Sequence, residues 1–167
     1  ITSTELKVER FRMLFEKANL SYSPEEFSKQ YLKRLGEGAF LLDGAEEVCK
    51  YLYGKYRLGI VTNGMKEVQY SRIGKSSIGK YIDKIIVSDD IGISKPNAGI
   101  FEYALKELGT EDKKEAIMVG DSLSADIQGG INFGIDTCWV NLQNEYSDGK
   151  IKPKYTVTSL EEIYRIL

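Results

Sequence analysis

Four short apolar runs constrain this chain more than any other feature. They are Leu58-Gly59-Ile60-Val61, Lys84-Ile85-Ile86-Val87, Ala116-Ile117-Met118-Val119 and Thr137-Cys138-Trp139-Val140, and helical patterns lie between them. A strand that is apolar along its length, rather than at every second residue, is buried on both faces. Strands of that kind alternating with helices make a parallel sheet covered on both sides, so the fold class is α/β, with a Rossmann-like parallel sheet. The front of the chain is different. Val8, Phe11, Phe15 and Ala18 recur at three and four, which predicts a helix from about Thr4 to Ala18. Ser23-Pro24-Glu25-Glu26 predicts the start of a second, with Ser23 as N-cap, Pro24 at the first helical position and Glu26 closing a capping box. Phe27, Tyr31 and Leu35 form its apolar stripe, and Gly36 and Gly38 end it. The change of pattern near Leu41 to Gly44 divides the chain into a helical segment, 1–42, and an α/β core, 43–167.

Further along, a short helix carries Ala45, Val48, Cys49 and Leu52, and another follows from Lys66 to about Ile73. A third runs from Asn97 to Leu108 with Gly109 as its stop. Residues 144–154 read as a surface loop, after which Ser159 is predicted to cap a final helix through Leu167, with Glu162 at the capping-box position.

Composition removes whole classes of chemistry. The sequence has no histidine, which excludes Ser-His-Asp and Cys-His catalysis, histidine-ligated zinc and histidine acid–base work. Chemistry here rests on carboxylates, hydroxyls, lysine or a bound metal. A net charge of −2 gives no basic excess for a nucleic acid polymer or an anionic membrane. No apolar run is long enough to span a bilayer. Two cysteines, Cys49 and Cys138, make no disulfide framework, which implies a reducing compartment, the cytoplasm.

The apolar runs end in polar clusters. In open parallel sheets ligands sit outside the carboxyl ends of the strands, and here those ends are Thr62-Asn63-Gly64, Ser88-Asp89-Asp90, Gly120-Asp121 and Asn141. In Gly120-Asp121-Ser122-Leu123-Ser124-Ala125-Asp126 one carboxylate ends a strand and a second follows five positions later. Such a pair takes a hard divalent cation, one carboxylate directly and one through water. The competing reading is a turn aspartate and a helix-cap aspartate. The hydroxyl of Thr62, the amide of Asn63 and the N–H of Gly64 suit phosphate oxygens, although Asn-Gly is also a common turn. Lys95, before Pro96 and a helix start, is a point charge for phosphate or a solvated surface lysine. Asp89 and Asp90 read as turn residues without a role, and Cys138 and Trp139 as residues of a buried strand.

Taken together, Ile60-Val61-Thr62-Asn63-Gly64, then Ser94-Lys95-Pro96-Asn97 leading to Ile100-Phe101, then Val119-Gly120-Asp121-Ser122 with Asp126, resemble the second, third and fourth signature motifs of the haloacid dehalogenase-like (HAD) hydrolases. The resemblance covers the whole chain and implies that residues 1–42 are part of a helical cap. Glu5 to Phe11 and Cys138-Trp139-Val140-Asn141 are similar to the branch acting as pyrimidine nucleoside 5′-monophosphatases. The resemblance implies a Mg²⁺-dependent phosphomonoester hydrolase acting on a small phosphorylated substrate through an aspartyl-phosphate. Thr62 and Lys95 would serve catalysis, Thr62, Asn63, Gly64 and Lys95 would bind phosphate, and Asp121 and Asp126 would hold the metal. The family's first motif, Asp-x-Asp on a central first strand, occurs nowhere in these 167 residues. Nucleophile and general acid are therefore expected upstream of residue 1, on a strand lying between those that end at Thr62 and Asp121. That the sequence opens Ile1-Thr2 rather than with Met agrees with a longer polypeptide. The alternative is a truncated, non-catalytic relative that binds phosphate or a partner. A receiver-type signalling domain is disfavoured, because its Lys-Pro follows its acidic pair, whereas Lys95-Pro96 comes before Asp121.

Overall fold

A computed structural model describes residues 3–167, so residues 1 and 2 of the front segment lie outside the described residues. Helix α1 spans Ser3–Lys17 and α2 spans Pro24–Glu37. They form a hairpin around an aromatic cluster. The buried rings of Phe11 and Phe15 meet Phe27 edge-on, with centroids 4.9 and 5.1 Å apart. Ser23 Oγ accepts the Glu26 N–H at 3.2 Å, the predicted cap. The helix runs through Gly36, which is buried, to Glu37 and ends at the second predicted stop residue, Gly38, its C-cap.

The α/β region contains α3 (Ala45–Leu52), β1 (Gly59–Thr62), α4 (Lys66–Lys75), β2 (Lys84–Val87), α5 (Ser88–Ile91), α6 (Ala98–Leu108), β3 (Ile117–Gly120), a single π-turn (Leu123–Ile127), α7 (Gln128–Phe133), β4 (Asp136–Val140) and β5 (Tyr155–Val157). All strand pairs are parallel. β1 pairs with β2 from Gly59↔Lys84 to Thr62↔Val87, β3 with β4 from Ile117↔Asp136 to Gly120↔Trp139, and β4 with β5 from Cys138↔Tyr155 to Val140↔Val157. Among the described residues the strands form two sheets, β1-β2 and β3-β4-β5, with no ladder between β1 and β3.

Successive side chains of β3 point to opposite faces. Met118 packs against a core of Ile86, Ile100, Phe101, Leu105 and Phe133, while Ile117 and Val119 pack against Val48, Leu52, Cys138, Val140 and Val157. Helices thus cover both faces, α6 and α7 on one and α3 on the other. The α4 helix ties α2 to this body. Ser71 Oγ and Lys75 Nζ donate to the Gly36 carbonyl at 2.8 and 3.2 Å, and Arg72 Nε donates to the Gly38 carbonyl at 3.0 Å. These are carbonyls at a helix end that lack intrahelical partners.

Three local expectations differ from the structure. β5 had no separate strand signal, since only Tyr155-Thr156-Val157 pair. The final helix is a 3₁₀ segment, Leu160–Arg165, and the Ser159 side chain caps nothing. Thr158 Oγ1 donates instead to Glu162 Oε1 at 2.9 Å, which removes the capping-box partner. Ser88-Asp89-Asp90 forms a one-turn helix rather than an open turn. No helix among the described residues is long and apolar enough to cross a membrane.

Candidate active site

The loop after β1 is held to the loop before α6 by one side chain. Asn63 Oδ1 accepts the Lys95 N–H at 2.8 Å, and Asn63 Nδ2 donates to the Lys95 carbonyl at 2.9 Å. This reciprocal clamp fixes the backbone of Lys95, whose bond to Pro96 is cis. The lysine side chain then runs inward. Its Nζ donates to the Val61 carbonyl at 2.5 Å and lies 2.8 Å from Asp126 Oδ1. The Lys95 and Asp126 side chains are only 10% and 7% exposed, so this is a buried ion pair rather than a surface one.

Asp126 gets there through a compact turn. Beyond β3, Ser122 Oγ accepts the Ala125 N–H at 3.1 Å, and the Ser122 carbonyl accepts the N–H groups of Asp126 and Ile127. Asp126 Oδ2 accepts the Ser122 N–H at 3.1 Å and folds back over Gly120. A Cβ at Gly120 would meet that oxygen within 2.3 Å, so the close approach requires glycine. Asp126 Oδ1 is buried and accepts no aligned hydrogen bond among the described residues; the Lys95 ammonium stands beside it as counter-charge only.

The structure thus joins Asn63, Lys95 and Asp126 directly and sets Thr62 between Val61 and Asn63. Thr62 Oγ1 accepts the Gly64 N–H at 3.2 Å, leaving its own O–H free to donate. Both polar atoms of the Asn63 amide are taken by Lys95, so Asn63 shapes the loop. Asp121 is attached through the backbone of this turn, without a side-chain contact to Thr62 or Lys95. Its carboxylate is exposed and meets no donor among the described residues, while its carbonyl accepts the Trp139 indole N–H at 2.9 Å.

Two features carried no sequence signal for the site. Trp139 read as strand core, yet its indole reaches the turn. Asp89 and Asp90 brace α4: Asp89 Oδ2 accepts the Lys66 N–H at 3.4 Å and Asp90 Oδ2 accepts the Tyr70 hydroxyl at 2.8 Å. The second bond, more than burial, raises the Tyr70 pKa. A shallow cleft of about 340 Å³ beside the β1 loop is lined by Asn63, Gly64, Ser88, Asp89 and Ser94, among others.

The donor set bears on which cation fits. Among the described residues no group of three or more His, Cys, Asp or Glu forms a cage. One exposed, unpartnered carboxylate with a second, buried one in the same turn suits Mg²⁺, which keeps several waters and needs only one or two carboxylates.

The signature described as haloacid dehalogenase-like hydrolase matches residues 4–140. Pyrimidine 5′-nucleotidase YjjG of Escherichia coli is 35% identical over 167 residues, covering 100% of this chain and 73% of that protein. A glyceraldehyde 3-phosphate phosphatase of Methanothermobacter thermautotrophicus is 33% identical over 113 residues, 66% of this chain and 50% of its own length. The magnesium-bound crystal structure of the HAD-hydrolase YfnB from Bacillus subtilis superposes with a TM-score of 0.92 at 34% identity, covering 100% of this chain and 73% of that one. With a signature over most of its length and relatives of this similarity, the chain belongs to the haloacid dehalogenase-like hydrolase family.

Proposed function

We propose that this chain is the greater part of a Mg²⁺-dependent phosphomonoester hydrolase whose substrate is a nucleoside 5′-monophosphate. One observation carries the reading: the buried Lys95 ammonium, fixed by the Asn63 clamp, sits between the β1 loop and Asp126. A positive charge held there, next to a free Thr62 hydroxyl, neutralises and orients a phosphoryl group. Asn63 and Gly64 serve the phosphate by shaping the loop, Asn63 through Lys95 and Gly64 by orienting the Thr62 hydroxyl. Asp121 and Asp126 are the residues that would hold the metal, Asp121 directly and Asp126 in support. When bound, Mg²⁺ supplies charge stabilisation for the phosphoryl oxygens. The helices of residues 1–42 act as part of a cap over this rim, and the free state of Cys49 and Cys138 suits a cytoplasmic enzyme.

The nucleophile comes from a carboxylate on a parallel strand between β1 and β3, each of which a described strand pairs on one side only. It attacks phosphorus as the bond to the substrate oxygen breaks, the leaving alcohol takes a proton from a second upstream carboxylate, and water then hydrolyses the aspartyl-phosphate to free phosphate. The 167 residues alone hold the anion without turning it over. The nucleotide substrate is supported by the YjjG likeness over the whole chain, against the shorter likeness to a triose-phosphate phosphatase.

The test is phosphate release by the protein expressed from its full reading frame, across nucleoside 5′-monophosphates and triose and sugar phosphates, with Mg²⁺ and with EDTA. Release from pyrimidine nucleotides that needs Mg²⁺, and that Asp121→Asn abolishes, is the expected result. Turnover that ignores EDTA or tolerates Asp121→Asn contradicts the metal role; preference for a triose phosphate contradicts the nucleotide.

A further inference from the structure

We infer that Trp139 is a positioning residue for the divalent cation, acting through the backbone of Asp121. The proposal rests on the metal reading of Asp121 above. β4 puts Trp139 opposite Gly120, the last residue of β3. Cys138 and Val140, its neighbours, face the core beneath α3, so the indole projects from the other side of the strand. There it is 5% exposed, and its Nε1–H donates to the Asp121 carbonyl at 2.9 Å. A buried indole N–H needs an acceptor, and this acceptor belongs to the residue whose carboxylate stands unpartnered at the rim.

Besides the Lys95–Asp126 ion pair, which ties the turn to the residue clamped on the β1 loop, its other bonds are internal. Ser122 Oγ and Asp126 Oδ2 fasten Ala125 and Ser122 to the turn itself, and the Ser122 carbonyl closes its helical end. They set its shape, and Asp126 Oδ2 holds the N–H side of the Asp121–Ser122 peptide. The indole bond comes from a neighbouring strand and holds the carbonyl side of that same peptide. A carboxylate on a one-carbon stem can aim no better than its backbone is held, so the indole sets where Asp121 meets a cation. Partners of this outer kind orient metal ligands and, when lost, weaken metal binding about 10- to 100-fold.

The experiment separates the N–H from the ring. Benzothienylalanine placed site-specifically at 139 keeps the bicyclic shape and replaces the N–H by sulfur; thienopyrrolylalanine keeps both shape and N–H. Full-length protein with each residue, and Trp139→Phe as a genetically encoded check, is titrated with Mn²⁺ in the absence of substrate, following the EPR signal of the free ion, and its thermal midpoint is recorded. The expected result is a dissociation constant about tenfold higher for benzothienylalanine and Trp139→Phe, restored by thienopyrrolylalanine. The benzothienylalanine protein should melt somewhat lower, having lost one buried hydrogen bond, and both analogue proteins should be fully folded at the titration temperature. Equal affinity with and without the N–H overturns the role of Trp139 and leaves the metal reading standing. Weakening by both analogues alike assigns the effect to packing and also overturns it. Wild-type protein that binds Mn²⁺ no better than Asp121→Asn overturns the metal reading, and the proposal with it.

Discussion

The most consequential single contact is the pair between Lys95 and Asp126. Both side chains are almost fully buried, so removing one strands a charge in a poorly solvated site, which costs about 3–5 kcal/mol. Lys95→Met is therefore expected to lose stability of that order in urea unfolding. Lys95→Met with Asp126→Asn should recover a large part of it, because no charge is then left buried. A double variant no more stable than Lys95→Met would show that the lysine acts by packing alone. A second residue-scale expectation concerns Cys138. Burial, with a smaller contribution from Glu162, pushes its thiol up to about 11 from 9.0. A folded pKa above the unfolded one means that the stabilisation is complete below about 9 and fades as pH rises through about 11. At pH 8.5 iodoacetamide should label the half-buried Cys49 well before Cys138, read by peptide mass spectrometry; equal rates would contradict the burial. At this scale the site was legible as residue types at strand ends. The pairing of Lys95 with Asp126 was not, because a contact between residues 31 apart in sequence leaves no local pattern. Trp139 was not either, because an indole in an apolar run looks the same whether or not its N–H holds a neighbouring loop.

Elements raise a different question: why α7 keeps two glycines that disfavour a helix. A Cβ on Gly129 would meet the Phe101 ring at 2.6 Å and the Pro96 Cα at 3.1 Å, and one on Gly130 would meet Thr137 Cγ2 at 2.7 Å. The helix lies that close to α6 and the sheet, and so seats the turn that carries Asp126. Gly74, on α4, has nothing within 4 Å of such a Cβ. The two sites should therefore respond in opposite directions. Gly130→Ala is expected to destabilise by about 1–3 kcal/mol through overpacking, despite the propensity it gains. Gly74→Ala should be neutral or stabilise by up to about 1 kcal/mol. Urea midpoints that shift the same way would refute this account of α7. Legibility at this scale followed length. α6, with the Asn97 side chain accepting the Gly99 N–H and Gly109 at positive φ, carried both a start and a stop in its residues and formed where predicted. β5 has three residues after Lys152-Pro153-Lys154, and its strand character comes from β4 beside it rather than from its own sequence. The last segment tightened to 3₁₀ once Thr158 took the Glu162 carboxylate.

For the molecule as a whole, the strands described fall into two parallel sheets rather than one. β4 is paired on both sides, by β3 and β5, whereas β1 and β3 are each paired on one side among the described residues. Along a parallel strand, successive N–H groups point alternately to the two neighbours, so one edge of β1 and one of β3 have amides with no ladder partner. An edge strand with apolar faces is a template for another strand. Lys95, reaching from the Val61 carbonyl to Asp126, spans this interval with a side chain where a ladder would otherwise run. If the proposed nucleophile strand occupies the interval in the full-length protein, hydrogen exchange should report it locally. Peptides covering Gly59–Thr62 and Ile117–Gly120 should exchange faster in the 167-residue chain than in the full-length protein, while Asp136–Val140 changes far less, since its ladders are complete in both. Faster exchange everywhere would mean that the shorter chain is merely less stable. Equal exchange at β1 and β3 in the two proteins would mean that no strand enters between them, and a nucleophile carried there would have to be sought elsewhere.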